Sequence, residues 1–258
     1  MSKILEALEK AAKEHPRLGR GSVLPFPAAF TRPHLSPREL RRHGWFSALP
    51  HSTRRVEPVR AIARRIAGAA AFPFRAVVTG VGPRCGTTTV SLNLGAELAR
   101  IASGEVVWLG GAPGSPWLAD LLHPWANRGL SDILYRGAPL CEVRISGPVP
   151  NLFLVPGNAR KGCPEPVEPP LLAEALERIS AGLAGSALVI DAPPLETCPS
   201  VVTEADAVVL VVRPGTPSKH LETAAELLDR VPVSAVLVNH LPLTAALRTG
   251  RAPARWGR

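Results

Sequence analysis

The chain has 258 residues, 46% of them hydrophobic, with 30 Lys+Arg against 21 Asp+Glu and a formal net charge of +9. That length and apolar content fit one large α/β domain with extensions, and no run of 18 apolar residues exists that would predict a transmembrane helix. The four cysteines (Cys85, Cys141, Cys163, Cys198) are widely spaced with no C-x-x-C pair, which argues against a zinc or disulfide framework and for reduced thiols.

The charge is unevenly placed. Residues 1–65 hold 14 Lys/Arg and 5 Asp/Glu, residues 66–258 hold 16 of each, and the tail 244–258 has four arginines and no acid. Such ends suit an anionic membrane surface or an acidic partner, or are simply solvated. Interleaved aromatics are sparse, which argues against nucleic acid as a partner.

The opening stretch, residues 1–15, reads as a short amphipathic helix, with Ser2 as its cap and Ile4, Leu5, Leu8, Ala11 and Ala12 on one face. It is too charged for the apolar core of a secretory signal. Residues 16–51 read as a Pro-rich linker, with six prolines in 16–50 and no period, and "HGWFSALP" as a docking patch. The domain is expected over 52–243. It starts with a helix in "EPVRAIARRIAGAA". Strands follow at 75–79, 105–109, 152–156, 187–191, 207–212 and 234–239, alternating with helices whose apolar positions recur at helical spacing. One helix has its stripe at Val90, Leu94, Leu98 and Ile101, a short one begins in "GLSDIL", and others lie in "PPLLAEALERISAGL" and "SKHLETAAELLDRV". Continuous Val/Leu/Ile runs between helices predict a doubly wound, mostly parallel sheet buried on both faces. Functional groups belong at the carboxyl ends of its strands. Residues 244–258 are the basic tail.

The first strand runs into "GPRCGTTTVSLNLG", residues 82–95. A glycine-rich loop between strand and helix presents backbone N–H groups and the positive end of the helix dipole to an anion. The Walker A pattern G-x-x-x-x-G-K-[ST] would place a lysine after Gly86, where Thr87 stands. Gly82, Gly86, Thr87, Thr88 and Thr89 are the anion-binding candidates, and Arg84 is the nearby cation. Losing a charge-assisted contact worth about 1.5–3 kcal/mol weakens binding by roughly 10- to 150-fold. Thr88 occupies the position of the Mg²⁺-binding hydroxyl. Asp191, ending the strand "ALVID", suits the carboxylate that holds the Mg²⁺ shell; the alternative is an aspartate capping the next turn.

In order and spacing, these segments resemble the MinD/ParA-like P-loop group, and within it the bacterial tyrosine autokinases of capsule and exopolysaccharide assembly. The resemblance covers about residues 52–243 and rests on "EPVRAIARRI", "GTTTVSLNLGAELA", "GLSDIL", "VPNLFLVPGN", "ALVIDAPP", "ADAVVLVVRPG" and "AVLVNHL". The opening "MSKILEALEKA" is similar to the start of some cytosolic autokinases. The resemblance implies a P-loop NTPase-like fold, with ATP and Mg²⁺ as cofactors. It places Arg213 with Pro214 at the border of the nucleotide pocket, Asn239 near the adenine, and Glu57, Arg60 and Arg64 in an oligomerisation motif E-x-x-R-x-x-R that here has Ala63 at its last position. The departures are equally specific. The lysine is absent, the D-x-D motif after the second strand reads Gly110-Gly111-Ala112, and the tail carries no tyrosine. Together they imply weak or absent ATP and Mg²⁺ binding and lost catalysis. The expected role is a scaffold or regulator in exopolysaccharide or capsule biosynthesis and export. Its expected partners are a chain-length membrane protein, an intact kinase paralogue or further copies of itself, and its expected place is the cytoplasm, at the inner membrane face through a partner. The alternatives are a working ATPase or tyrosine-kinase-like enzyme with a variant loop, and a MinD/ParA-like positioning or secretion factor.

Overall fold

The computed structural model describes residues 35–49, 54–111, 118, 121–122, 128–157, 176, 179, 186–203, 205–229, 231 and 233–239. The readings of 1–15 and 244–258, of Ala112 and Cys163, and of most of the helix in "PPLLAEALERISAGL" lie outside these residues; Leu176 and Ile179 of that helix are helical and buried.

Among the described residues, seven strands form one sheet: β1 (Arg75–Gly80), β2 (Val106–Gly110), β3 (Ile145–Ser146), β4 (Leu152–Val155), β5 (Ala187–Asp191), β6 (Ala207–Val212) and β7 (Val233–Val238), in the spatial order β3-β4-β2-β5-β1-β6-β7. All neighbouring pairs are parallel except β3–β4. The two-residue β3 had no sequence signal, because two residues carry no period. The longer strands are legible because their alternate side chains enter two apolar layers. Ala76, Val78, Trp108, Val189 and Val209 face one layer, and Val77, Leu109, Ile190, Val208 and Leu210 the other. The edge strand β7 departs from the expectation of burial on both faces, with Val236 38% and Val238 41% exposed.

The helices are α1 (Pro37–Arg42), α2 (Glu57–Ala69), α3 (Thr87–Ile101), α4 (Leu130–Arg136), α5 (Leu140–Val143) and α6 (Ser218–Leu227) among the described residues. Helix α2 buries Val59, Ala63 and Ile66, the i, i+4, i+7 stripe of a surface helix. Helix α3 is different: every residue from Val90 to Ala99 is buried, while Ile101, expected on its apolar stripe, is 45% exposed.

What covers the second side of α3 corrects the expected linker over residues 35–49; its remainder, 16–34 and 50–51, lies outside the described residues. Residues 35–49 belong to the core. Ser36 caps α1 through a reciprocal box with Glu39, the Glu39 N–H donating to Ser36 Oγ at 3.2 Å and the Ser36 N–H to Glu39 Oε2 at 2.8 Å. Trp45 is fully buried, and its Nε1–H donates to the Leu92 carbonyl at 3.1 Å. The Ser47 N–H donates to Asn93 Oδ1 at 2.8 Å, and Asn93 Nδ2 donates to the Gly44 carbonyl at 2.8 Å. Arg100 Nη2 donates to the Ser47 carbonyl at 2.8 Å. Pro37 misled because it sits where it fits, in the first turn of α1, where no intrahelical N–H partner is lost. Residues 43–49 of the "HGWFSALP" patch therefore dock on their own chain, and the globular part begins before residue 52.

Candidate functional site at the loop after the first strand

The loop Val81–Gly86 joins β1 to α3 at the carboxyl edge of the central strands. Three of its residues have left-handed backbone: Gly82 (φ 79°), Arg84 (φ 58°) and Gly86 (φ 84°). Gly86 is the residue from which α3 starts. This geometry turns the chain sharply and aims the first-turn amides of Thr87, Thr88 and Thr89, which by helix geometry have no intrahelical acceptor, toward the loop. Arg84 is non-glycine in a region that favours glycine, and its side chain is exposed.

The loop is held from within and from both flanks. Buried Cys85 donates its thiol to the Val81 carbonyl at 3.0 Å and lies 3.3 Å from the Gly82 carbonyl. Burial pushes the Cys85 thiol above its ordinary range, opposed by the Arg213 charge and main-chain N–H. The Val81 N–H donates to the Val211 carbonyl at 3.0 Å, and the Leu195 N–H donates to the Gly80 carbonyl at 3.1 Å. Asn239 continues the pairing of β6 and β7 through its N–H to the Val212 carbonyl, and its Nδ2 donates to the Cys85 carbonyl at 2.9 Å. In this structure Asn239 is thus a brace for the loop.

Asp191 ends β5 in register with Val78 of β1 and Gly110 of β2. It is 2% exposed, and its Oδ1 has no hydrogen-bond partner. Burial raises its pKa to about 7, opposed by the hydroxyls of Thr88 and Ser91. Behind it, Trp108 Nε1 donates to Ser91 Oγ at 2.9 Å, and Ser91 Oγ donates to the Thr88 carbonyl at 3.0 Å. An unsatisfied buried carboxylate oxygen beside a threonine hydroxyl is a donor set of hard oxygens that fits Mg²⁺. The structure thus brings Thr88 and Asp191, the two candidates to hold Mg²⁺, next to each other.

The other predicted residues are placed less uniformly. A Cβ on Gly80 would lie 2.9 Å from Thr87 Oγ1, so the Thr87 side chain packs against the end of β1. Thr89 turns its methyl to the segment 35–49 that straps α3: a Cβ on Gly44 would lie 3.0 Å from Thr89 Cγ2. Arg213 and Pro214 are exposed on the turn after β6, closed by Thr216 Oγ1 donating to the Arg213 carbonyl at 2.7 Å. Gly110, standing where the first carboxylate of the D-x-D pattern would be, is closed in: an added Cβ would lie 2.8 Å from the Gly157 nitrogen and 3.0 Å from the Trp108 ring. Arg60 is occupied within the chain, its Nε 2.9 Å from Glu97 Oε2 and its Nη1 3.1 Å from Glu57 Oε2, while Arg64 is exposed one turn on. The sequence reading missed Ser91, Trp108 and Cys85. Only Ser91, one turn after Thr88 on the same helix face, had a readable signal.

No family model and no curated protein matches the chain. Solved structures do match its fold. The chimerical protein CapA2B2 aligns with a TM-score of 0.61 at 22% identity, over 74% of this chain and 86% of that one. The BceF tyrosine kinase domain aligns with a TM-score of 0.60 at 20% identity, over 94% of this chain and 91% of that one. The MinC:MinD cell division protein complex of Aquifex aeolicus aligns with a TM-score of 0.51 at 19% identity, over 68% of this chain and 72% of that one. This chain has the P-loop NTPase-like α/β fold of the bacterial tyrosine kinase domains and of the MinC:MinD complex among its structural neighbours.

Proposed function

We propose that this protein is a catalytically reduced relative of the tyrosine autokinases, acting as a scaffold or regulator in exopolysaccharide or capsule biosynthesis and export. One observation carries the loss of chemistry. At Gly110 the space for a carboxylate is filled by the Gly157 backbone and the Trp108 ring, so an acid could not be accommodated there without a backbone shift. Thr87 adds to it, since a hydroxyl packed on Gly80 supplies no positive charge to a phosphate. Phosphoryl transfer depends on positioned cations and metal to stabilise transition-state charge, and those groups are reduced here to Thr88, Asp191 and the loop amides. The partners in this reading are a chain-length membrane protein or an intact kinase paralogue, met at the inner membrane face. The test is calorimetric titration with Mg·ATP together with a phosphotyrosine assay on the purified chain. Phosphotyrosine that appears with Mg·ATP and disappears in Asp191→Ala would overturn the reading.

A second reading has its own support. The unpartnered Oδ1 of Asp191 beside Thr88 favours retained cation binding, and with it an ATPase whose loop uses Arg84 in place of the lysine. Turnover of ATP lost in Arg84→Ala, with no phosphotyrosine, would favour it.

A further inference from the structure

Behind the two candidate cation ligands lies a buried polar pair that the loop chemistry has not used. Ser91, one turn after Thr88 on α3, is fully buried. Its Oγ meets three groups. It accepts the Trp108 Nε1–H at 2.9 Å, it donates to the Thr88 carbonyl at 3.0 Å, and it lies beside the Asp191 carboxyl, whose charged form it favours. Ser91 therefore touches both candidate ligands without being one of them. Asp191 Oδ1 has no hydrogen-bond partner, so the orientation of that carboxyl depends on the hydroxyls of Thr88 and Ser91 beside it. Trp108 in turn has little freedom. It is 1% exposed on β2, a Cβ on Gly95 of α3 would lie 3.8 Å from its Cβ, and a Cβ on Gly110 would lie 3.0 Å from its ring. An indole N–H can only donate. It claims a lone pair of Ser91 Oγ and leaves the single Ser91 proton to serve the front of the site, at the Thr88 carbonyl or the Asp191 carboxyl.

We propose that Ser91, locked by the Trp108 indole, is a positioning residue for a divalent cation, holding the Thr88 main chain and the Asp191 carboxyl so that Oδ1 stays free for the ion. This rests on the reading that Thr88 and Asp191 retain cation binding. Groups that orient metal ligands from behind typically contribute about 10- to 100-fold in metal affinity. A merely structural Ser91–Trp108 bond has a different signature: its loss lowers stability and leaves the affinity of the folded protein unchanged.

The test uses the full chain and Mn²⁺ alone, with the free ion followed by electron paramagnetic resonance. The expected result is binding that Asp191→Asn abolishes and that weakens by about tenfold or more in Ser91→Ala and in Trp108→Phe. Ser91→Ala alone leaves a buried indole N–H unpaired, which costs stability. The double variant Ser91→Ala/Trp108→Phe removes donor and acceptor together, which is far less disruptive, and it should bind Mn²⁺ as weakly as Ser91→Ala while its melting temperature checks that it folds. A second readout needs no variant of Ser91. Of the five tryptophans, the indole N–H resonance missing in Trp108→Phe belongs to Trp108, and Mg²⁺ should shift it in the wild type and not in Asp191→Asn. Equal Mn²⁺ affinity of the wild type and the double variant, with binding still lost in Asp191→Asn, overturns the proposal and leaves the cation site standing. A Trp108 resonance that stays in place while the ion binds also overturns it. No saturable Mn²⁺ binding by the wild type overturns the proposal and the cation reading together.

Discussion

Replacing Asp191 by asparagine removes a charge while keeping the shape of the side chain, and the structure sets how much stability should follow. Asp191 is fully enclosed, and burial raises its pKa from 3.8 to about 7. A carboxyl that binds its proton more tightly in the folded state leaves the unfolded state with fewer protons between those two values, so stability falls as pH rises through that window and levels off above about 7. At 1.36 kcal/mol per tenfold change in proton affinity, the whole interval amounts to roughly 4 kcal/mol. Urea unfolding of wild type and Asp191→Asn between about pH 4 and pH 8 reads this directly. The wild type should lose stability across the window relative to the variant, and the variant should be the more stable protein at the alkaline end. Other titrating groups shift both proteins alike and drop out of the difference. Mg²⁺ added at the alkaline end should raise the stability of the wild type and leave the variant unchanged, because binding to the folded state alone stabilises it. Parallel pH profiles for the two proteins would refute the burial argument, and an equal Mg²⁺ response would remove Asp191 from the cation site.

Thr87→Lys should raise nucleotide affinity by about tenfold or more through one charge-assisted contact, read by calorimetry with Mg·ATP, while ATP turnover stays low because Gly110 supplies no carboxylate. Gly110→Asp should destabilise by about 1–3 kcal/mol or more from overpacking against Gly157 and Trp108, seen as a lower urea midpoint. Trp45→Ala should cost about 3–5 kcal/mol, the loss of a buried aromatic, and removal of residues 1–50 should give an insoluble or unfolded chain, checked by circular dichroism and solubility. Asn239→Ala should cost roughly 1 kcal/mol and loosen the loop by freeing the Cys85 carbonyl, visible as faster amide exchange at residues 82–86.

The residues by themselves determined the strand–helix alternation, because fully buried parallel strands must be continuous Val/Leu/Ile runs such as "AVVLVV", found intact as β6. They also determined the loop after β1, since a glycine-rich stretch between a strand and a helix marks it. Tertiary structure alone decided the rest. The strap around Trp45 was invisible in a proline-rich segment without a period, because its partners Leu92, Asn93 and Arg100 lie 46 to 53 residues away in the sequence. Asn239 as a brace for Cys85 spans 154 residues. That Gly110 excludes a carboxylate, where the sequence showed only that one was missing, depended on the Gly157 nitrogen standing 2.8 Å from where a Cβ would be. Local pattern reports what each segment buries, and only the folded chain sets which distant group stands against it.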